Sequence, residues 1–340
     1  MKPCCLCAVA VVLLASGCGA PEPEVLRVQL ASTKSDDQGT VGGALSVTTP
    51  DGESVSLQEE DVDVFVETRE GGGTWRPATD VALDFNGPNQ LDVVVVADNS
   101  GSEADELEVM RESIRDFSRQ LNMRAHRDRV GLVRVSTVAR RLASLTEDLD
   151  VLDGALDSLF VTNGWTALWD GLRLANEMLA ADVLGATKGK QPEVCMGRTY
   201  RAIVGFTDGR DNNSADEHVT KYASDGVDTT ADQLRQLEVL GAKTPLHLVG
   251  IGPKVEDDVL GDLAESTGGR YVQVDHFRSL HGELMSAAAR LESQVPVCFV
   301  PADCADTEAR LTVTVTLEGA ANTTSFQLPL PQGWCQSSKK

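Results

Sequence analysis

The chain has 340 residues, room for about two domains at roughly 150 residues each. With 41% hydrophobic and 24% charged residues it has the composition of a globular protein, which excludes disorder over most of its length. Thirty basic against 52 acidic residues give a formal net charge of -22, which repels a phosphate backbone, argues against a nucleic acid partner, and suits a divalent cation or a basic protein patch.

The chain opens on MKPCCLCAVAVVLLASGC, with a Lys near the start, an apolar run from about Leu6 to Leu14, and small residues before Cys18. This is the pattern of a secretory signal segment, too short to remain as a spanning helix. Ala15-Ser16-Gly17-Cys18 also resembles a bacterial lipobox, with alanine where lipoproteins more usually carry leucine. The resemblance implies that residues 1–17 are removed as a signal peptide and that Cys18 becomes an acylated N-terminus. The mature protein is then expected in the cell envelope, held to a membrane by lipid. The neutral Gly19 carries no sign of inner-membrane retention, which favours the outer membrane.

Such processing leaves four cysteines, Cys195, Cys298, Cys304 and Cys335. An even number in an exported chain points to two disulfides, with three possible connectivities. The short stretch between Cys298 and Cys304 favours the set Cys298-Cys304 and Cys195-Cys335. No C-x-x-C survives in the mature chain, which argues against a zinc site.

Residues 18–88 read as a Pro-rich tether and a β region. Short apolar stretches are punctuated by Gly42-Gly43, by a Pro50-Asp51-Gly52 turn and by Gly71-Gly72-Gly73, and Val62, Val64 and Val66 alternate with acidic residues. From Leu91 the rhythm changes. Leu91 to Ala97 is an almost unbroken apolar run, as in a strand buried on both faces. Leu107, Met110, Ile114, Phe117 and Leu121 then fall on one face of a helix from about Ala104 to Asn122.

The alternation continues with strands at Val130 to Ser136 and Arg140 to Leu145, and helices at Leu152 to Leu159 and Ala167 to Leu179. Strands at Arg201 to Thr207 and Leu246 to Ile251 flank a helix near Ala231 to Leu240. A helix at Val259 to Ser266, a strand at Arg270 to Val274 and a helix carrying Leu280, Leu284, Ala287 and Leu291 complete the series. Strands alternating with helices over residues 89–295 predict a doubly wound α/β domain with a mainly parallel sheet. The β pattern returns over 296–340, where Leu311, Val313, Val315 and Leu317 alternate with threonines. Each β flank is small for a stable sheet with a covered face. This favours their pairing into one β-sandwich domain with the α/β domain inserted.

Ligands of open α/β sheets bind beyond the carboxyl ends of the strands. There the first buried run ends in Asp98-Asn99-Ser100-Gly101-Ser102 and a later one in Thr207-Asp208-Gly209, while Asn163-Gly164-Trp165-Thr166 lies in a loop before a helix. Two carboxylates and three hydroxyls offer only oxygen, which suits Mg²⁺, Mn²⁺ or Ca²⁺ over zinc or copper. Asp98 at the end of an apolar strand is costly without a cation or hydrogen bonds. Taken singly, Ser100 and Ser102 fit helix capping, Thr166 an N-cap and Asp208-Gly209 a turn.

Together the three elements resemble the metal-ion-dependent adhesion site of the von Willebrand factor A family, with D-x-S-x-S on Asp98, Ser100 and Ser102, the loop threonine on Thr166 and the strand-end aspartate on Asp208. The resemblance covers about Asn89 to Gln294. It implies one divalent ion per chain, no catalysis, and capture of a protein partner whose carboxylate completes the metal shell. Asn99, Trp165, Arg210, Asp211 and Asn213 adjoin the ligand positions and are expected to form the partner rim. Two other readings stand beside adhesion. One is a scaffold subunit of an envelope complex with a structural metal; the other is a phosphatase-like hydrolase, weakened because Ser100 stands where that chemistry needs a second aspartate.

Overall fold

The structure, a computed structural model, describes residues 27–35, 40–49, 53–85, 90–101, 104–121, 127–160, 164–181, 199–214, 229–234, 244–317 and 320–330. Cys18, Ser102, Cys195 and Cys335 therefore lie outside the described residues, as do the signal segment and the Pro50-Asp51-Gly52 turn. Of the helix expected near Ala231 to Leu240, residues 231–234 are described and are helical.

The middle of the chain forms the doubly wound α/β domain. Its strands are β6 (Gln90–Asp98), β7 (Arg129–Val135), β8 (Arg140–Thr146), β9 (Thr199–Thr207), β10 (Leu246–Ile251) and β11 (Arg270–Val274). They lie in the order β11-β10-β9-β6-β7-β8, parallel except for the edge strand β8. Strand β6 is central and solvent-free because both faces are covered. Val93, Val95 and Ala97 enter one core cluster, Val94 and Val96 the other. Helices α1 (Ala104–Gln120), α2 (Leu149–Asp157) and α5 (Leu280–Glu292) cover the first face, and α3 (Leu168–Ala181) and α4 (Asp257–Ser266) the second. The apolar stripe read from the sequence is the buried face of α1: Met110, Ile114, Phe117 and Leu121 are all fully buried.

Gly171 in α3 faces the sheet, where a Cβ would stand 2.4 Å from Val135 Cγ2 and 3.1 Å from Val96 Cγ1. Only glycine lets α3 approach this closely, and that approach brings the loop before α3 up to the end of β6.

The two flanks meet in space. One sheet has the order β1-β2-β12-β5, built from β1 (Arg27–Ser35), β2 (Val41–Thr48), β5 (Thr79–Leu83) and β12 (Val295–Val300). A second has the order β14-β13-β3-β4, built from β3 (Val62–Arg69), β4 (Arg76–Pro77), β13 (Glu308–Leu317) and β14 (Ala320–Pro329). Val41, Val297 and Phe299 of the first pack on Val66, Ala309, Leu311 and Leu328 of the second, so a β-sandwich encloses its own core. The pairings β2 with β12 and β3 with β13 join chain segments on either side of the α/β domain. Cys298, fully buried in β12, and Cys304 are both disulfide-bonded. Among the described residues no helix is long and apolar enough to cross a membrane.

Candidate metal centre

Asp98 closes β6 with its side chain entirely buried. Ser100 donates to Asp98 Oδ1 through its amide at 3.0 Å and its hydroxyl at 2.6 Å, while Thr207 Oγ1 donates to Asp98 Oδ2 at 2.5 Å. Gly101 takes φ +73°, the left-handed turn that redirects the chain from β6 toward α1. Ser100 Oγ also lies 2.6 Å from Thr166 Oγ1, across 66 residues of sequence. Asp98, Ser100 and Thr166 are thus gathered at the carboxyl end of the sheet. Asp208, next after Thr207 of β9, interacts electrostatically with Asp98.

Thr166 is held by the loop that follows Asp208. Its amide donates to Asn212 Oδ1 at 2.7 Å, and its carbonyl accepts from the amides of Asn212 and Asn213 at 3.0 and 3.1 Å. Asp211 accepts from the amides of Trp169 and Ser214, tying the same loop to the start of α3. Asn212 and Thr207 are therefore the functional neighbours that the sequence reading missed. The available signal was polar density: T-D-G-R-D-N-N-S after a buried strand is more than a turn requires.

Burial, and then repulsion from Asp208, push the Asp98 carboxyl up to about 7, against the lowering effect of its hydrogen bonds from Ser100 and Thr207. Burial first, and the charge of Glu106 among other contributions, raise Asp208 to about 6 although Lys254 works the other way. Asp98 accepts only from hydroxyls and an amide here. Two carboxylates raised in this way, converging with hydroxyl oxygens and no imidazole or thiolate, fit a hard divalent cation. Among the described residues no group of three or more His, Cys, Asp or Glu gathers as a metal site.

The family model for the von Willebrand factor type A domain matches residues 92–287, more than half of the chain. The chain belongs to that family. The VWA fold, a mostly parallel sheet between helices, accounts for the central domain, with the antiparallel sheets added to it. Three solved structures are similar. A von Willebrand factor type A protein from Catenulispora acidiphila is 11% identical, with 91% of this chain and 74% of that one covered at a TM-score of 0.43. The vWF domain of the type V pili tip protein Mfa5 from Porphyromonas gingivalis is 14% identical, with 60% and 94% covered at 0.42. Proximal thread matrix protein 1 from the mussel byssus, with a zinc-occupied MIDAS motif, is 16% identical, with 64% and 49% covered at 0.44. This chain thus spans about half the length of the mussel protein. No curated protein matches.

The VWA loops place the five rim residues unequally. Trp165 and Arg210 are exposed. Asn99 is completely buried and its Nδ2 donates to the Phe160 carbonyl at 2.6 Å, so it cannot meet a partner. Asp211 and Asn213 also turn inward, Asp211 to Trp169 and Ser214, Asn213 Nδ2 to the Thr137 carbonyl. The expectation of a five-residue rim is corrected for Asn99, while Asp211 and Asn213 are half-buried. The polar groups of all three satisfy backbone groups of the loops that carry the ligands.

Proposed function

We propose that this VWA domain binds one divalent cation, Mg²⁺ or Mn²⁺ (or Ca²⁺), through Asp98, Ser100, Ser102, Thr166 and Asp208, and uses it to capture a protein that presents a carboxylate. The observation that carries this reading is the buried Asp98, which accepts hydroxyls where a merely structural carboxylate would be paired with a cation. VWA domains of the adhesion type bind divalent metals and often mediate protein–protein interaction, which supports the same reading. Hydroxyl ligands are neutral and leave the ion electrophilic, so an incoming carboxylate completes its shell. The role is binding and not catalysis: Ser100 occupies the place of the acid that phosphatase-like phosphoryl transfer would need.

The proposal includes a lipid anchor at Cys18 in the envelope of a bacterial cell, resting on the signal segment and lipobox. Disulfide-bonded Cys298 and Cys304 support an oxidising compartment. A pull-down from envelope extract with and without EDTA tests the whole. Binding should be abolished by chelator, restored by Mg²⁺ or Mn²⁺, and weakened by Thr166→Ala or Asp208→Ala with native circular dichroism. Cys18→Ser should move the protein out of the membrane fraction. Identical partners with and without chelator would mean a structural metal and a scaffold subunit.

A further inference from the structure

Around the metal loops the carboxyl end of the sheet is chemically lopsided. Helix α1 packs against α2 on one side and α5 on the other, α2 lying over β7 and β8 and α5 over β10. The first turn of α1 therefore separates two surfaces that flank the Asp98 loop. Beside the ligand loops stand Phe160, which follows α2, and Trp165, which precedes Thr166, 55% and 40% exposed, in a chain with only 4% aromatic residues. Large exposed rings at a site of partner capture are the residue type that dominates binding energy.

These rings adjoin a rigid frame. The Phe160 carbonyl accepts from Asn99, the residue between Asp98 and Ser100, and the Phe160 ring lies 4.8 Å from the guanidinium of buried Arg134. Arg111 of α1 donates to the carbonyls of Leu156, Asp157 and Leu159, fixing the segment that leads to Phe160. Trp165 directly precedes Thr166 in the sequence. Phe160 is thus tied to the Asp98 loop by hydrogen bonds and Trp165 to Thr166 by the chain.

On the α5 side is a cleft of about 430 Å³ between the first turns of α1 and the segment that follows β11. Val109 and buried Phe277 give it an apolar lining, Asp105 and Glu106 an acidic wall, and His276 and Arg278 the opposite wall. Glu106 is near enough to Asp208 to raise its pKa. The acidic wall of Asp105 and Glu106 favours a cation from the partner in the cleft. A Lys or Arg fits it, with its aliphatic stem along Val109 and Phe277 and its charge at Asp105 and Glu106.

We infer that the partner is recognised as a polypeptide segment in three parts: a carboxylate on the metal, a large apolar side chain over Phe160 and Trp165, and a Lys or Arg in the cleft beside α1. This rests on the metal-dependent capture proposed above and names the class of segment captured.

The test is an array of short synthetic peptides with one fixed glutamate and varied neighbours, probed with the full chain in Mg²⁺ and in EDTA. Mg²⁺-dependent binding should be enriched for an aromatic or large aliphatic residue on one side of the glutamate and for Lys or Arg on the other. Phe160→Ser should erase the first preference alone and Asp105→Asn with Glu106→Gln the second alone, each weakening selected peptides about tenfold. Calorimetric Mg²⁺ titration of every variant separates the outcomes. If Mg²⁺ binds but peptides show no flanking preference, no binding at all, or preferences unmoved by these variants, the three-part segment is wrong. If Mg²⁺ does not bind the wild type, the metal reading itself has failed.

Discussion

Two aspartates of one strand, Asp92 at the start of β6 and Asp98 at its end, are equally buried and differently answered. Asp92 receives a two-pronged contact from Arg129, at 2.8 and 2.7 Å, with the Arg201 guanidinium 4.0 Å away. Asp98 receives hydroxyls and an amide, and faces another carboxylate. A buried charge persists when it is paired, and the pairing partner discloses the role. Arginine across β6, β7 and β9 makes the amino end of the sheet a structural joint. At the carboxyl end Asp98 meets no arginine among the described residues, and in the proposed function a divalent ion supplies the positive charge there.

Exchanging the two residues is the strongest way to break the comparison. Asp98→Ala should keep the fold and lower Mg²⁺ affinity by more than the ~10–100-fold cost of outer-shell changes. Asp92→Ala should leave affinity near wild type and cost about 3 kcal/mol of stability, because Arg129 and Arg201 lose this buried carboxylate. A melting point lower by roughly 6–12 °C would show it. Loss of metal binding in the Asp92 variant, with the fold intact, would refute the division of labour.

Acid sharpens the contrast. In the metal-free fold Asp98 and Asp208 are raised to about 7 and about 6 from an ordinary value of 3.8. Folding thus tightens their hold on protons. The stability they contribute is fully present below about pH 4 and is lost as pH rises through 6 to 7. An ion must displace those protons, so its affinity should fall as pH drops from about 8 toward about 5, and level off above. Calorimetry across that range would record it. Affinity flat over the window would contradict the environment described for Asp98.

The smallest effect belongs to the clamp. Asn212→Ala removes the acceptor for the Thr166 amide and should weaken Mg²⁺ binding about tenfold with little change in melting point, as outer-shell changes do. An Asn212→Ala variant with unchanged affinity would show that α3 and Gly171 alone suffice to place Thr166.

Much of this was legible from the chain. The Leu91 to Ala97 run reads as a strand covered on both faces, and the Leu107 to Leu121 stripe as one face of a helix, because burial imposes those patterns locally. The oxygen ligands could be read too, since strand ends followed by polar loops mark the open end of such a sheet. Other features exist only across distance. Nothing in the neighbourhood of Asp92 or Asp98 says which will meet arginine, since Arg129 and Arg201 reach Asp92 through the register of β7 and β9. Asn99 looked like surface because asparagine in a loop usually is, yet a carbonyl 61 residues away in sequence needed its donor. The pairing of β2 with β12 and of β3 with β13 is likewise tertiary. Alternation shows that a strand has a covered face, but only packing decides which distant strand covers it.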